Sequence, residues 1–213
     1  MDEGGTIRAR VEHDLGSRIA AGVIPPGALL SVPTLAAEYA VSATPVREAV
    51  LELERRGFVT AARNRGFVVT PVDPAHADHV AAVRDLLEPA AMRAVAERRP
   101  APDLAAARAL ADEVAREAAA GDLAAYLDAD RRFHLALTAF AGNPMLTAVV
   151  DDLRRRTRLP VLQALVGSTE LQRSAAEHHE LSEAIERGDG DAAESVTRRH
   201  IGHTRGWWAG RPE

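Results

Sequence analysis

The 213-residue chain contains no cysteine. Disulfide frameworks, zinc fingers and thiol catalysis are therefore excluded, and any metal must be held by histidine and carboxylate. It contains no lysine either; all 26 basic residues are arginine. Aromatic residues make up only 4% of the chain, while alanine and leucine are abundant. That mixture favours helices, because alanine and leucine lose least on entering one. No apolar run approaches the roughly 18 residues of a membrane span, and no charged-then-apolar leader opens the sequence, so a cytoplasmic protein with no membrane partner is expected. The net charge of −5 argues against nucleic acid until it is located. Residues 1–72 hold eight arginines and eight acids, whereas residues 73–213 hold 18 arginines against 23 acids. DNA binding needs a local basic face rather than a basic protein, and this distribution leaves room for one.

What is present divides into two parts, and the length suits two modest cores. Strand and turn chemistry is confined to residues 1–72. Leu15, Ile19 and Val23 space a short helix that ends near Gly22, and Pro25-Pro26-Gly27 forbids its continuation. Ser31 is the expected N-cap, with Pro33 in the first turn, of a helix through Leu35, Ala36 and Tyr39. A tight turn at residues 40–42 follows, and Ser42 or Thr44 caps a helix that runs to about Arg56 and stops at Gly57. Phe58–Thr60 and Phe67–Thr70 read as two short strands joined at Arg63-Asn64-Arg65-Gly66.

Two helices with a short turn between them, followed by a hairpin, outline a winged helix-turn-helix. The second helix would bury Val46, Ala49 or Val50, and Leu53, presenting Thr44, Arg47 and Leu51 on its other face. First-turn residues of a recognition helix lie nearest the bases. Thr44 and Arg47 are thus the leading contacts to double-stranded DNA, with Ser42 beside them. Arg65, next to Gly66 at the wing tip, would reach phosphate or the minor groove. On spacing alone, a small helical subdomain with exposed arginines fits equally well.

Residues 73–77 are expected to link this head to a helical domain over 78–213. The pattern there predicts about six helices of roughly 15–23 residues in an antiparallel bundle, with Pro160 kinking or ending the fourth. Polar residues interrupt its apolar stripes. Asp130 and His134 lie one turn apart on the inward face of one helix, His178 is inward on a second, and His200 is inward on a third. Buried together they would be costly unless satisfied. A divalent ion of the Zn, Ni, Mn or Fe class would satisfy them, and so would separate structural hydrogen bonds. Arg84 breaks the stripe of Val80, Leu87 and Ala91, either to anchor a carboxylate or to form an internal ion pair. Asn143, within Gly-Asn-Pro, is a pocket candidate that turn chemistry also explains. The run from Arg154 to Arg158 reads as a solvated or subunit-facing surface, and Trp207-Trp208 as the closure of the bundle's end.

The stretch from Pro26-Gly27 through Leu35-Ala36, Val41-Ser42-Ala43-Thr44-Pro45-Val46-Arg47-Glu48-Ala49, Leu53-Glu54, Gly57 and Arg65-Gly66-Phe67-Val68-Val69 resembles the DNA-binding domain of GntR-family regulators over about residues 8–72. Two positions depart from that pattern: Ala43 and Pro33 stand where the family tends to place basic residues. Further on, Asp130-x-x-Phe133-His134, Asn143-Pro144, Glu177-His178 and Arg199-His200 resemble the FCD ligand-binding domain of the family's FadR-type branch. The resemblance implies a homodimeric regulator, usually a repressor, that binds an inverted repeat and senses a small organic acid beside a metal held by Asp130, His134, His178 and His200. Two other classes stay open on the residues: a metalloenzyme using the bundle site, and a regulator whose metal is structural or is itself the signal.

Overall fold

The computed structural model describes residues 3–159 and 162–208. The head begins with α1 (Glu3–Ala20), followed by β1 (Leu29–Leu30), α2 (Val32–Glu38), α3 (Ala43–Arg55), β2 (Val59–Ala62) and β3 (Gly66–Val69). Its core is one apolar cluster in which Val11, Leu15 and Ile19 of α1 meet Val46, Ala49, Val50 and Leu53 of α3, with Phe58, Phe67 and Val69 closing the sheet side. Ser31 caps α2 by accepting from the Thr34 amide at 3.2 Å. Ser42 occupies the N-cap of α3, yet its side chain makes no capping hydrogen bond and, like Thr44, stays exposed.

The sheet differs from expectation by one strand. The order is β1-β3-β2, all antiparallel, with Leu29 opposite Val68 and Leu30 opposite Phe67. Two residues carry no alternation, so β1 left no pattern to read. Its presence fixes Gly66, which has φ +110 and where a Cβ would collide with the Leu30 carbonyl oxygen. Gly66 thus owes its identity to sheet closure, whatever the wing tip contacts. Gly66→Ala is expected to destabilise the head by about 1–3 kcal/mol, because both the backbone and the neighbouring strand must shift. A thermal melt checks this, and an unchanged midpoint would contradict the steric argument.

The bundle comprises α4 (Pro74–Ala96), α5 (Ala105–Ala120), α6 (Leu123–Ala139), α7 (Pro144–Arg156), α8 (Thr169–Arg187) and α9 (Gly190–Trp208), with a 3-10 turn at Leu162–Leu165. Helix α4 starts at Pro74 behind an Asp73 cap, so residues 74–77 of the expected linker are helical. Pro89 lies within α4 and cannot donate to the Asp85 carbonyl; Arg198 of α9 takes that acceptor at 3.3 Å. Helix α7 ends at Arg156, three residues before the described chain breaks off. Pro160, expected to act on this helix, and the Trp207 and Trp208 side chains lie outside the described residues.

Head and bundle are packed against each other. Leu127 of α6 joins the head core, and Ala21 joins a bundle cluster with Leu123, Leu159 and Leu171. His13 of α1 meets Asp128 of α6 at 2.9 Å. The Leu159 amide donates to the Ala20 carbonyl at 2.7 Å. No helix among the described residues is long and apolar enough to cross a membrane.

Candidate metal centre and DNA-facing surface

Three helices bring Asp130 and His134 (α6), His178 (α8) and His200 (α9) together, with one candidate ligand atom from each lying within 4.8 Å of the others. The Nε2 atoms of His178, His200 and His134 stand 3.0, 3.3 and 3.7 Å from Oδ1 of Asp130. The helical phase is responsible. The i, i+4 pair on α6 stacks on one face, and His178 shares the buried stripe of α8 with Leu171, Ala175, Ser182 and Ile185.

Second contacts set the rings. Nδ1 of His178 lies 3.0 Å from the Ala175 carbonyl, to which it donates. Nδ1 of His200 lies 3.0 Å from Oε2 of Glu177. Each contact occupies Nδ1 and aims Nε2 at Asp130, so that a cation replacing the proton shared there would meet the Nε2 lone pair, the arrangement a metal ligand requires. Nε2 of His134 is buried and has no hydrogen-bond partner. An orphaned imidazole nitrogen beside two preset ones and a carboxylate fits a divalent cation, which would supply Lewis acidity and an open coordination position.

Charge in this core forms a chain. Arg84 Nε donates to Glu88 at 2.7 Å, Arg154 bridges Glu88 and Asp130, and its bond to Asp130 Oδ2 is 2.8 Å. Beyond the cluster Glu177 accepts from Arg199 at 2.7 Å and faces His203 at 3.3 Å. Burial by itself would raise the Asp130 carboxyl, but the Arg154 guanidinium and the imidazoles outweigh it and hold it well below the usual carboxylate range. Burial, reinforced by Arg154, drives His134 well below the ordinary imidazole value, favouring its neutral, metal-binding form.

Arg84 takes the ion-pair alternative in this conformation, with Nη1 also 3.3 Å from the Thr157 hydroxyl. Asn143 sits elsewhere: its side-chain oxygen caps α7, accepting from Met145 and Leu146 amides at 3.1 and 3.2 Å. It lines a separate surface cavity with Leu135 and Asp151, not the space beside Asp130. Arg154 and Arg158 are buried, so the expectation of a solvated arginine run holds only for half-exposed Arg155 and Arg156. Glu88, Arg154 and Glu177 were not singled out for the site. Their signals were present: Glu88 lies four residues beyond Arg84, and three consecutive arginines on a helix cannot all face solvent.

On the head, Ser42, Thr44, Arg47 and Arg65 are exposed. The side chains of Arg47 and Arg65 make no hydrogen bond or ion pair among the described residues. Leu51 and Arg55 continue the α3 face. Three free polar side chains at the start of one helix, with a wing arginine nearby, leave donors directed outward rather than into the fold.

Residues 7–69 match the bacterial regulatory proteins of the gntR family, and residues 79–203 match the FCD domain. This chain is a GntR-family transcriptional regulator. Its relatives are regulators rather than enzymes. It is 28% identical to the HTH-type transcriptional regulator McbR of Escherichia coli over 86% of this chain and 84% of that protein. It is 29% identical to the galactonate operon transcriptional repressor of the same species, over 88% and 90% of the two chains. The solved structure of E. coli McbR/YncC superposes with a TM-score of 0.76 at 27% identity, covering 92% of this regulator and 93% of that chain. A GntR regulator from Rhodococcus sp. RHA1, at 23% identity, shares the fold with a TM-score of 0.73 over 97% and 99%.

Proposed function

We propose that this GntR regulator is a homodimeric, ligand-responsive cytoplasmic repressor that binds an inverted-repeat operator and is controlled by a small organic acid at a metal held by Asp130, His134, His178 and His200. Thr44 and Arg47 read bases, Ser42 and Arg65 hold backbone, and the ion belongs to the Zn, Ni, Mn or Fe class.

The observation that carries this reading is the segment after α7. Arg154 holds Asp130, Thr157 receives Arg84, Arg158 donates to the Thr70 carbonyl at 2.7 Å, and Leu159 bonds to Ala20. The stretch 154–159, from the last turn of α7 onward, therefore reaches the metal cluster at Arg154 and the head at Arg158 and Leu159. The cavity between Asp130, His200, Arg84, Tyr126, Thr157 and Leu159 measures about 20 Å³, room for roughly one water. A carboxylate entering this cavity would have to push back its lining, which includes Thr157 and Leu159, and the Leu159 amide is bonded to Ala20 of the head. Such a ligand binds one arrangement better than the other, which is the requirement for coupling.

The test is a screen of small mono- and dicarboxylates against the metal-loaded protein by thermal shift and by operator binding. An effector is expected to raise the melting temperature and to weaken operator affinity by about 5- to 150-fold. Arg84→Lys keeps a cation beside Glu88 but loses the bidentate fork, so the effector should then bind at least about tenfold more weakly. Equal stabilisation of wild type and Arg84→Lys removes Arg84 from the effector site.

A further inference from the structure

A second groove lies on the opposite side of the same segment, where the C-terminus of α3 meets the start of α4. It measures about 360 Å³ and is lined by Arg55, Arg56, Arg156 and Arg158, with His76 from α4 and a single acid, Asp73. Asp73 is engaged as the N-cap of α4, accepting from the Ala75 amide at 3.0 Å. Three of the four guanidinium groups are neutralised from outside the groove: Arg55 by Glu52, Arg56 by Glu12 at 2.8 Å and Arg156 by Asp152 at 2.7 Å.

Arg158 is different. It is 8% exposed, and among the described residues no carboxylate pairs with it. Its Nη1 and Nη2 donate to the Thr70 hydroxyl and carbonyl at 3.0 and 2.7 Å, while its Nε is buried without a partner. Together with Arg56 it packs over the Phe58 ring, the two guanidinium carbons lying 5.2 and 5.1 Å from the ring centre. A guanidinium taken out of water without a counter-ion is costly. The strain registers in its acidity, since burial alone pushes it down to about 10. A planar fork beside further arginines matches an oxyanion that accepts two parallel hydrogen bonds.

We infer that this groove is a second ligand site, separate from the metal centre, that binds the phosphoryl group of a small dianion and so fastens the DNA-binding head to the sensory bundle. A phosphoryl group fits better than a carboxylate, because Arg158 carries a guanidinium charge that no carboxylate among the described residues offsets, and the three paired arginines beside it keep further N–H donors for the additional oxygens. Pro71, Val72 and Ala77 complete the lining and leave room for a short carbon skeleton beside the phosphoryl group. Arg55, Arg56 and Phe58 belong to the head, while His76, Arg156 and Arg158 belong to the bundle, so occupancy changes how firmly the two are joined.

The test is calorimetric titration of the full-length protein with inorganic phosphate and with glycerol 3-phosphate at constant ionic strength, before and after chelation of metal. Saturable binding is expected in both metal states, weakened about tenfold by Arg156→Gln and lost in Arg158→Gln. Circular dichroism establishes that the variants are folded. If Arg158→Gln does not fold, Arg156→Gln and Arg158→Lys carry the test. Tighter binding of glycerol 3-phosphate identifies an esterified phosphate, and equal binding identifies the free ion. Occupancy is further expected to change operator affinity about fivefold or more. The inference is overturned if neither anion binds saturably below about 10 mM, if binding is unchanged in Arg156→Gln and Arg158→Lys, or if it disappears with the metal. It is likewise overturned if the variants lose only affinity for an operator duplex, because the groove is then a contact to DNA backbone.

Discussion

The purified wild type is expected to retain a divalent ion at about one per chain by elemental analysis, and Asp130→Asn and His178→Ala are each expected to abolish that retention. The Nε2 atoms of His134, His178 and His200 converge on one carboxylate oxygen, and two of the rings are preset by Ala175 and Glu177. Removing an orienting contact to such a site costs about 10–100-fold in metal affinity, so losing a ligand itself should exceed about 100-fold. Such an ion would tie α6, α8 and α9 together, so chelation should also destabilise the bundle. An ion present at 100 times its dissociation constant contributes about 2.7 kcal/mol. In a chain of this length that corresponds to a melting temperature lowered by roughly 5–10 °C. Asn143→Ala provides the contrast: its cap is lost, at about 1 kcal/mol, but the metal stays. Metal-free wild-type protein whose melting temperature ignores chelators would sink the metal reading.

The metal cluster was readable because its members are polar residues placed on otherwise apolar helical stripes. Periodicity alone put Asp130, His134, His178 and His200 inward, and the structure brings all four together. Their support was harder to see. Glu88, Arg154 and Glu177 are charged residues of the kind that usually faces water, and only pairing, of Glu88 with Arg154 and of Glu177 with Arg199 and His200, makes burial tolerable. Pairing across helices has no signature along one chain. Leu127 illustrates the converse. It fits the inward stripe of α6 by spacing and packs on a bundle cluster, but it also packs on the head core, because α6 is covered by the bundle on one side and by α1 on the other. The recognition helix was legible for a simpler reason: its apolar face and its exposed face both follow a period of 3.6. The docking of head on bundle was not, since it combines backbone groups of Ala20, Thr70 and Leu159 with pairs between distant helices, such as His13 with Asp128, that leave no pattern along the chain.

Arg47→Ala is expected to cost the protein most of its operator affinity while leaving the fold unchanged. Arg47 is exposed at the start of α3 and its side chain makes no hydrogen bond or ion pair among the described residues, so its replacement should alter stability by no more than about 0.5 kcal/mol. A bidentate arginine–base contact is worth about 1–3 kcal/mol. Two heads on an inverted repeat would lose about 2–6 kcal/mol together, roughly 30-fold to 10 000-fold in affinity. The effect should be large here because Ala43 and Pro33 offer no cation nearby to share the load. Gel-shift titration at fixed salt, against the operator and a scrambled duplex, measures it. If Arg47 reads a base, affinity for the operator should fall while affinity for the scrambled duplex changes little. If it only meets phosphate, both should weaken equally and the salt dependence should become shallower by about one unit. Arg65→Ala is expected to follow that second pattern, since a wing-tip arginine positions without specifying. Undiminished operator binding by Arg47→Ala would remove α3 as the reading helix, since no other cation in its first two turns points outward.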